Sequence, residues 1–562
     1  MADAVPDRRP TVTGPTSSSL GGAPATGAPG GASRSALPQG LAEALLPRVV
    51  AGGRGGSVTV LAPFTGLPLV DVPLSTTDDV AEAASRARAA QVGWAAMPVA
   101  RRAAVLLAFH DRVLGSMDEI LDLVQLECGK ARLSAVEEVG DVAQIARHHA
   151  RRAARYLAPR RVPSLVPVLT TAEVRRHPLG LIGVVAPFNY PFTLSVGDAL
   201  PALVAGNAVL VKPDTRTVLS ALWGVAQLEA AGLPRGLVQV VVGEAEVGAA
   251  VVAAVDHVVF TGSTATGREV AAQAGRRLIG ATLELGGKNP LYVADDVDVE
   301  VAAEGAVRAC FAGTGQLCVS VERLYVHERV ADDFQAAFVR RTRALTLGPA
   351  LDFSADVGTL TSPAQLAKVT GHVTDAVARG ATVLAGGRAR PDLGPLFFEP
   401  TVLADVPDEA AVAREETFGP VVSIRTVRSD DEAVAAMNDT RYGLNASVWT
   451  RSVARGRALA ARVEAGTVNV NDGYVTAWAA GGAPQGGVKD SGIGARHGAA
   501  SIAAVTRTQT IGVQRAVHGP RWAAGLAGGG GLGFGRMYAG PGERTARLLT
   551  TMLRVSKAVH RA

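Results

Sequence analysis

A two-part α/β architecture, each half a doubly wound sheet, joined by a β-prone arm, is the fold predicted by this 562-residue chain. Three observations carry it. From Gly180 onward short apolar strands alternate with helical segments, and a second alternating region runs from about 286 to 485. The stretches Val162–Val174 and Ala503–Val513, rich in β-formers, stand outside both regions and read as an arm. Buried strands alternating with helices mean a parallel, helix-covered sheet, with ligands at the carboxyl ends of its strands.

In chain order, residues 1–36 are low-complexity Gly, Ala, Pro and Ser and read as disordered. Structure begins near Leu41 and continues in two short strands, Ser57–Pro63 and Leu67–Leu74, around Phe64-Thr65-Gly66. Ser75-Thr76-Thr77 before Asp78 and Asp79 is a helix N-cap with acids in the first turn. Amphipathic helices over 78–92 and 98–129 follow, the second with Leu106, Phe109 and Val113 at helical spacing. The alternating region then gives strand Gly180–Ala186, helix Ser195–Ala205, strand Ala208–Lys212, helix Thr217–Ala231 and strand Val238–Val242. Helix Val247–Ala254 and strand His257–Thr261 complete it.

Composition narrows the function. Hydrophobic content of 48% with 19% charged residues describes a globular enzyme. No apolar run of about 18 residues suggests a transmembrane helix, and the N-terminus has no apolar core of a signal peptide. The net charge of +5 belongs to residues 515–562, where eight arginines and lysines face Glu543 alone. The body is therefore near neutral, which argues against a nucleic-acid partner. Within that tail, Leu548, Leu549, Met552, Leu553 and Val559 fall near one helical face among basic residues. Such a helix either docks on its own enzyme or a neighbouring subunit, or lies on an anionic membrane surface. Three cysteines, Cys128, Cys310 and Cys318, suggest a reducing, cytoplasmic setting, and none has metal-ligand spacing. Gly528, Gly530 and Gly533 form a G-x-G-x-x-G run inside a glycine tract without a preceding strand, which is composition rather than a dinucleotide fingerprint. Gly262–Gly267 resembles a phosphate loop, but Arg268 stands where Lys-Ser/Thr should begin, so no NTPase is read.

The chemistry is carried by Gly315-Gln316-Leu317-Cys318, a lone cysteine at a glycine-loosened turn, where a thiolate would meet a carbonyl substrate. Four motifs precede it. Pro187-Phe188-Asn189-Tyr190-Pro191 ends a strand with an amide able to meet an oxyanion. Val211-Lys212-Pro213 places a lysine where ribose or phosphate would lie. Phe260-Thr261-Gly262-Ser263, with Gly267 beyond, opens a helix whose N–H groups suit a pyrophosphate. Leu283-Glu284-Leu285-Gly286-Gly287-Lys288 sets a carboxylate among apolar residues, which raises its pKa toward that of a general base. Singly, Asn189 reads as a turn cap, Lys212 as a solvated strand end and Cys318 as a packed thiol.

Together the motifs resemble the aldehyde dehydrogenase superfamily over about residues 57–515. The likeness continues in Glu416-Thr417-Phe418-Gly419-Pro420-Val421, Asn438, Tyr442–Val448, Pro484–Gly487 and Ser491–Gly494. The resemblance implies that Cys318 is the nucleophile, that Asn189 with the Cys318 N–H is the oxyanion hole, and that Glu284 activates the hydrolytic water. It implies nucleotide contacts at Pro187, Phe188, Lys212, Asp214, Thr215, Gly243, Gly248, Gly262, Ser263, Gly267, Leu285, Gly286, Glu416 and Phe418, with no metal. It also makes 37–160 and 179–285 a cofactor-binding domain, 286–485 a catalytic domain, 161–178 and 486–515 an oligomerisation arm and bridging segment of a homodimer or homotetramer, and 516–562 a basic tail. Lys212–Thr217, Ala274–Gly280 and Ser491–Gly498 are similar to an actinobacterial subgroup named for NADP-dependent succinate-semialdehyde oxidation. Thr215 replaces the glutamate with which many NAD-preferring relatives hold the ribose, so NADP is expected, with NAD tolerated. The two arginines expected for a carboxylate substrate are Ala312 and Gly197 here, leaving Arg496 or Lys489 as substitutes and aromatic or other aldehydes as alternatives. Glu284 argues against a CoA-acylating relative, and the retained Cys, Asn and Glu argue against a non-catalytic binding protein.

Overall fold

The structure, a computed structural model, describes residues 37–163, 170–514, 546–547, 550–551 and 553–554. The low-complexity start and most of the apolar face expected of the tail lie outside the described residues.

Two sheets organise the chain. The first has six strands in the order Gly492–Ile493, Gly280–Glu284, His257–Thr261, Leu181–Val185, Ala208–Lys212, Val238–Val240. Its five longer strands run parallel to one another, and only the two-residue edge strand Gly492–Ile493 is antiparallel. Leu181, Ile182, Val209, Leu210 and Val211 are fully buried because helices cover both faces, which is why these strands read as unbroken apolar runs. From Leu181–Val185 the chain winds one way to Ala208–Lys212 and Val238–Val240, and the other way to His257–Thr261 and Gly280–Glu284. The reversal opens a crevice at the carboxyl ends of Leu181–Val185 and His257–Thr261.

The second sheet runs Thr382–Ala385, Thr401–Ala404, Val421–Val427, Val321–His327, Asn289–Val293, Asn445–Trp449, Thr467–Val470. It is parallel except for its first strand. Phe311, Phe334 and Phe338 stack beside it with ring centroids 5.7 and 6.0 Å apart. A separate three-stranded sheet forms the arm: Thr170–Pro178 pairs with Thr506–Gln514 on one side and Arg160–Val162 on the other, all antiparallel.

Several elements differ from their sequence readings. The helix expected over 98–129 is two, Val99–Gly115 and Met117–Cys128, because Gly115 and Ser116 are weak helix formers and Ser116 leaves helical geometry (φ −117°, ψ 30°). The helix expected over Ser195–Ala205 begins as a wide turn, Thr193–Gly197, before Asp198–Ala205. Pro201 has no N–H for the Gly197 carbonyl four residues earlier, and the wide turn ends there. The arm stretch Val162–Val174 is parts of two strands, and Ala503 and Ala504 end the helix Gly498–Ala504 instead of opening the last strand. Elsewhere Thr76 caps Thr77–Ala96 in a reciprocal box with Asp79, as the Ser-Thr-Thr-Asp-Asp run implies. Among the described residues no single helix is long and apolar enough to cross a membrane.

Candidate active site

Cys318 is placed by packing rather than by backbone freedom. The helix Val299–Phe311 ends in a tight turn, Ala312–Gly315, in which Gly313, Thr314 and Gly315 take φ of 59°, 60° and 67°. A side chain on Gly315 would overlap the Gly419 carbonyl oxygen, so glycine is required for close approach and left-handed geometry. The glycine-loosened turn of the sequence reading is thus a closely packed one. Asn289 holds the next residues: its Nδ2 donates to the carbonyls of Cys318 and Ser320, each at 2.7 Å, and its Oδ1 accepts from the Asn445 N–H at 3.0 Å. Asn445 in turn donates to the Val319 carbonyl at 2.9 Å. Sequence reasoning passed over Asn289; the only signal was a polar residue opening an otherwise apolar strand.

Asn189 and Glu284 come from the other sheet. Asn189 follows the strand Leu181–Val185; its Nδ2 donates to the Gln316 carbonyl at 2.9 Å, which leaves one amide hydrogen, and its buried Oδ1 has no partner. Glu284 ends the strand Gly280–Glu284 and is pinned by the edge strand, where a side chain on Gly492 (φ 146°) would overlap the Leu283 carbonyl. Its carboxylate is buried, with Oε1 unpartnered. Burial raises the Glu284 pKa to about 8, against the pull of Arg496 and with the push of Asp198. Burial and the Glu284 charge together push the Cys318 thiol up to about 12. Burial thus favours the thiol over the thiolate that attack requires, so a base must take the proton.

Cys318, Glu284 and Asn189 line one pocket. Its outer wall is Tyr190, Leu194, Leu317, Val319, Tyr474 and Trp478, with the Tyr190 and Tyr474 rings each 6.3 Å edge-on from Trp478. Arg496 lines the same pocket. Its Nε bonds Asp198 at 2.6 Å, and its buried Nη2 has no partner. Lys489 is elsewhere, tied to Glu464 at 2.6 Å and to the carbonyls of Asn438 and Thr440.

The predicted nucleotide contacts gather along the crevice at the strand ends. Lys212, mostly buried, holds only the Pro213 carbonyl at 3.3 Å among the described residues. Burial lowers its pKa. Asp214 is gripped by Arg216 through two side-chain bonds of 2.7 and 2.8 Å, and Arg216 lies 4.3 Å over the Phe188 ring, next to Pro187. Phe188 also meets Phe418 edge-on at 6.0 Å. Ser263 caps the helix Thr264–Arg276. Gly248 sits 3.8 Å (from a built Cβ) off the Lys212 stem, while Gly243, Gly262 and Gly267 are pressed by Val247, Phe260 and Leu285. The Leu285 N–H donates to the Ser491 carbonyl at 2.9 Å. Glu416 accepts from the Gly287 N–H at 2.8 Å, and a Cβ on Gly286 would lie 2.7 Å from its carboxylate. A mostly buried ammonium with one weak partner at the end of Ala208–Lys212, and a Ser263-capped helix start at the end of His257–Thr261, are groups that fit a nicotinamide dinucleotide.

The comparisons agree with this geometry. The sequence pattern of the "Aldehyde dehydrogenase family" matches residues 50–511. A Mycolicibacterium smegmatis protein provisionally named succinate-semialdehyde dehydrogenase (NADP+) is 52% identical over 456 residues, 81% of this chain and 88% of that protein. The crystal structure of succinate-semialdehyde dehydrogenase from Burkholderia pseudomallei superposes with a TM-score of 0.78 at 34% identity, covering 82% of this chain and 95% of that one. The NAD+ complex of an aldehyde dehydrogenase from Bacillus cereus gives 0.79 at 31%, covering 84% and 98%. By pocket, fold and sequence, the chain belongs to the aldehyde dehydrogenase family, oxidoreductases that act on small aldehydes.

Proposed function

We propose that the chain oxidises a small aldehyde to its carboxylate with NADP, through a thioester on Cys318 released by water. The observation that carries this reading is the convergence of Cys318, Asn189 and Glu284 on one pocket. Cys318 Sγ bonds to the aldehyde carbon while its proton passes to a base, and the carbonyl oxygen becomes an oxyanion. The free Asn189 amide hydrogen and the Cys318 backbone N–H meet that charge. Lys212, Ser263 and Glu416 would hold a nicotinamide nucleotide, which would accept the hydride as the C–H bond breaks and the oxyanion re-forms the carbonyl of the thioester. Glu284, raised to about 8, then removes a proton from water, whose oxygen attacks the thioester carbon. The C–S bond breaks, the sulfur regains a proton and the carboxylate departs.

The relatives' names make succinate semialdehyde the first substrate. A second reading rests on the wall of Tyr190, Tyr474, Trp478, Leu194 and Leu317, which suits an aromatic or other apolar aldehyde. Ala312 and Gly197 offer that wall no cation, and Arg496 already serves Asp198. Purified enzyme is to be offered succinate semialdehyde and benzaldehyde, each with NADP and NAD, while nucleotide reduction is followed. Turnover with at least one aldehyde is expected, and Cys318→Ala should abolish it; turnover that survives this change overturns the mechanism.

The same reading assigns 37–160 and 179–285 to the nucleotide, 286–485 to the thiol, and 161–178 with 486–515 to an arm and bridge. The outward-facing Thr506–Gln514 strand supports a homodimer or homotetramer, and three free cysteines support a cytoplasmic setting.

A further inference from the structure

The near-neutral body read from the sequence is the sum of two unlike regions. Residues 142–178 and 506–514, the later part of the helix Arg132–Leu157 together with the arm, hold nine arginines against Glu173 alone. The tail after Gln514 holds eight more basic residues against Glu543, so the rest of the chain carries an excess of ten acids. On the helix, Arg147, Arg151 and Arg155 stand four apart on one exposed stripe with Arg152 beside it, and Arg160 and Arg161 follow, exposed, on the edge strand of the arm. None of the six meets a carboxylate among the described residues, and Glu173 is taken by Arg175 at 2.5 Å. Like charges four apart on a helix repel, so the stripe costs stability until an anionic surface meets it. The tail leaves from this same end: Val162 lies opposite Ala172, and Gln514 opposite Thr170 of the same strand. In the tail Leu548, Leu549, Met552 and Leu553 recur at helical spacing among basic residues. The residues described there are helical and exposed, Leu553 58% so.

We propose that this arginine face and the tail bind a membrane surface of anionic phospholipid, the arginines meeting the phosphates and the apolar tail residues entering the acyl boundary. Guanidinium groups take phosphate oxygens in paired hydrogen bonds, and each basic residue near such a surface adds to the attraction. The apolar residues decide between polyanions. A nucleic-acid backbone offers them nothing, whereas the headgroup boundary buries them. The contact is peripheral and uses no residue of the thiol pocket.

Co-sedimentation of the purified full-length protein with vesicles tests this, using phosphatidylcholine alone and phosphatidylcholine mixed equally with phosphatidylglycerol. Binding is expected only to the mixed vesicles and should weaken steeply as salt rises. Arg147→Gln, Arg151→Gln and Arg155→Gln combined should lower the affinity at least about tenfold, and the matching lysine changes should keep it within about threefold. Ending the chain at Gln514 should also cost at least about tenfold. Equal affinity for the two vesicle types, no binding to either, or full affinity in either altered chain overturns the proposal. So does a short DNA duplex that binds as tightly as the mixed vesicles, since the apolar tail residues would then be idle. A triple glutamine variant that changes its oligomeric mass in sedimentation velocity assigns the arginines to a second copy and overturns it too. Because all three positions are exposed, an unshifted melting temperature will separate a binding effect from a folding one.

Discussion

The thiol pocket and the part of the crevice beyond Lys212 use charge in opposite ways. Around Cys318 the polar atoms are buried and left unfilled: Asn189 Oδ1, Glu284 Oε1 and Arg496 Nη2 have no partner. Beyond Lys212 the charged groups are half-buried or exposed and already bonded, Asp214 to Arg216 and Glu244 to Thr215. Unfilled buried groups raise the energy of the empty site, and a reacting group placed among them gains strong, directed hydrogen bonds. Matched exposed groups exchange partners with water at little cost. The first arrangement suits bond making, the second reversible recognition. Substitutions in the pocket should therefore change rate or stability steeply, and those in the crevice should change preference gently.

The largest effect should come from Glu284→Gln. The pocket keeps its shape but loses the group that removes a proton from water, so steady-state turnover should fall by about 10²–10⁴ while a first burst of nucleotide reduction persists. The parent enzyme should gain activity as pH rises through about 8, where the buried carboxyl becomes ionised, and the variant should lose that rise. Rapid-mixing kinetics across pH measures both. A burst lost together with the steady state would assign Glu284 to the thiol step instead.

How much of this contrast was legible in the sequence depends on what each residue does alone. The strands Ala208–Lys212 and His257–Thr261 were readable to the residue, because a buried parallel strand is an apolar run ended by turn chemistry. Cys318, Asn189 and Glu284 were readable because each stands in a motif with its own chemical logic. The bond from Thr215 to Glu244 was not, since it joins residues twenty-nine positions apart at 2.9 Å. Asn289 was hidden for the same reason: its bonds reach Cys318, Ser320 and Asn445 across two strands. The break after Gly115 and the wide turn before Asp198 were missed because helical periodicity runs through both and only the local backbone tells them apart.

Arg496 gives an intermediate effect and ties the pocket's electrostatics to its stability. Its guanidinium bonds Asp198 in a pair whose side chains are only 10% and 5% exposed, and its charge also acts on Asp141 and Glu284. Arg496→Met would leave those acids buried without their cation, a change that costs about 3–5 kcal/mol in comparable buried pairs. Burial raises the pKa values of Asp198 and Asp141, and Arg496 opposes the rise in each. Without it their folded-state values climb further above the unfolded ones, so the loss of stability relative to the parent grows as pH rises past the parent's folded value, about 7 for Asp141. Thermal unfolding at pH 6 and pH 8 should show the larger deficit at pH 8. The Glu284 limb of the rate profile should also move to higher pH, since Arg496 lowers that pKa.

The smallest effect is expected at Thr215, and it is the sharpest test of the contrast. Thr215→Val removes one hydroxyl from the rim of the crevice and unties Glu244 without removing its charge. An exposed hydrogen bond of this kind falls at the low end of the usual range, about 0.5 kcal/mol, so the NADP+/NAD+ binding ratio should move by only about two- to threefold. Unfolding free energy should stay within about 0.5 kcal/mol of the parent, because no buried group loses a partner. A melting temperature that drops as it does for Arg496→Met would mean that the crevice is built like the pocket, with recognition and stability resting on the same bonds. A ratio that shifts while stability holds would mean that preference at this end can change without disturbing the chemistry at Cys318.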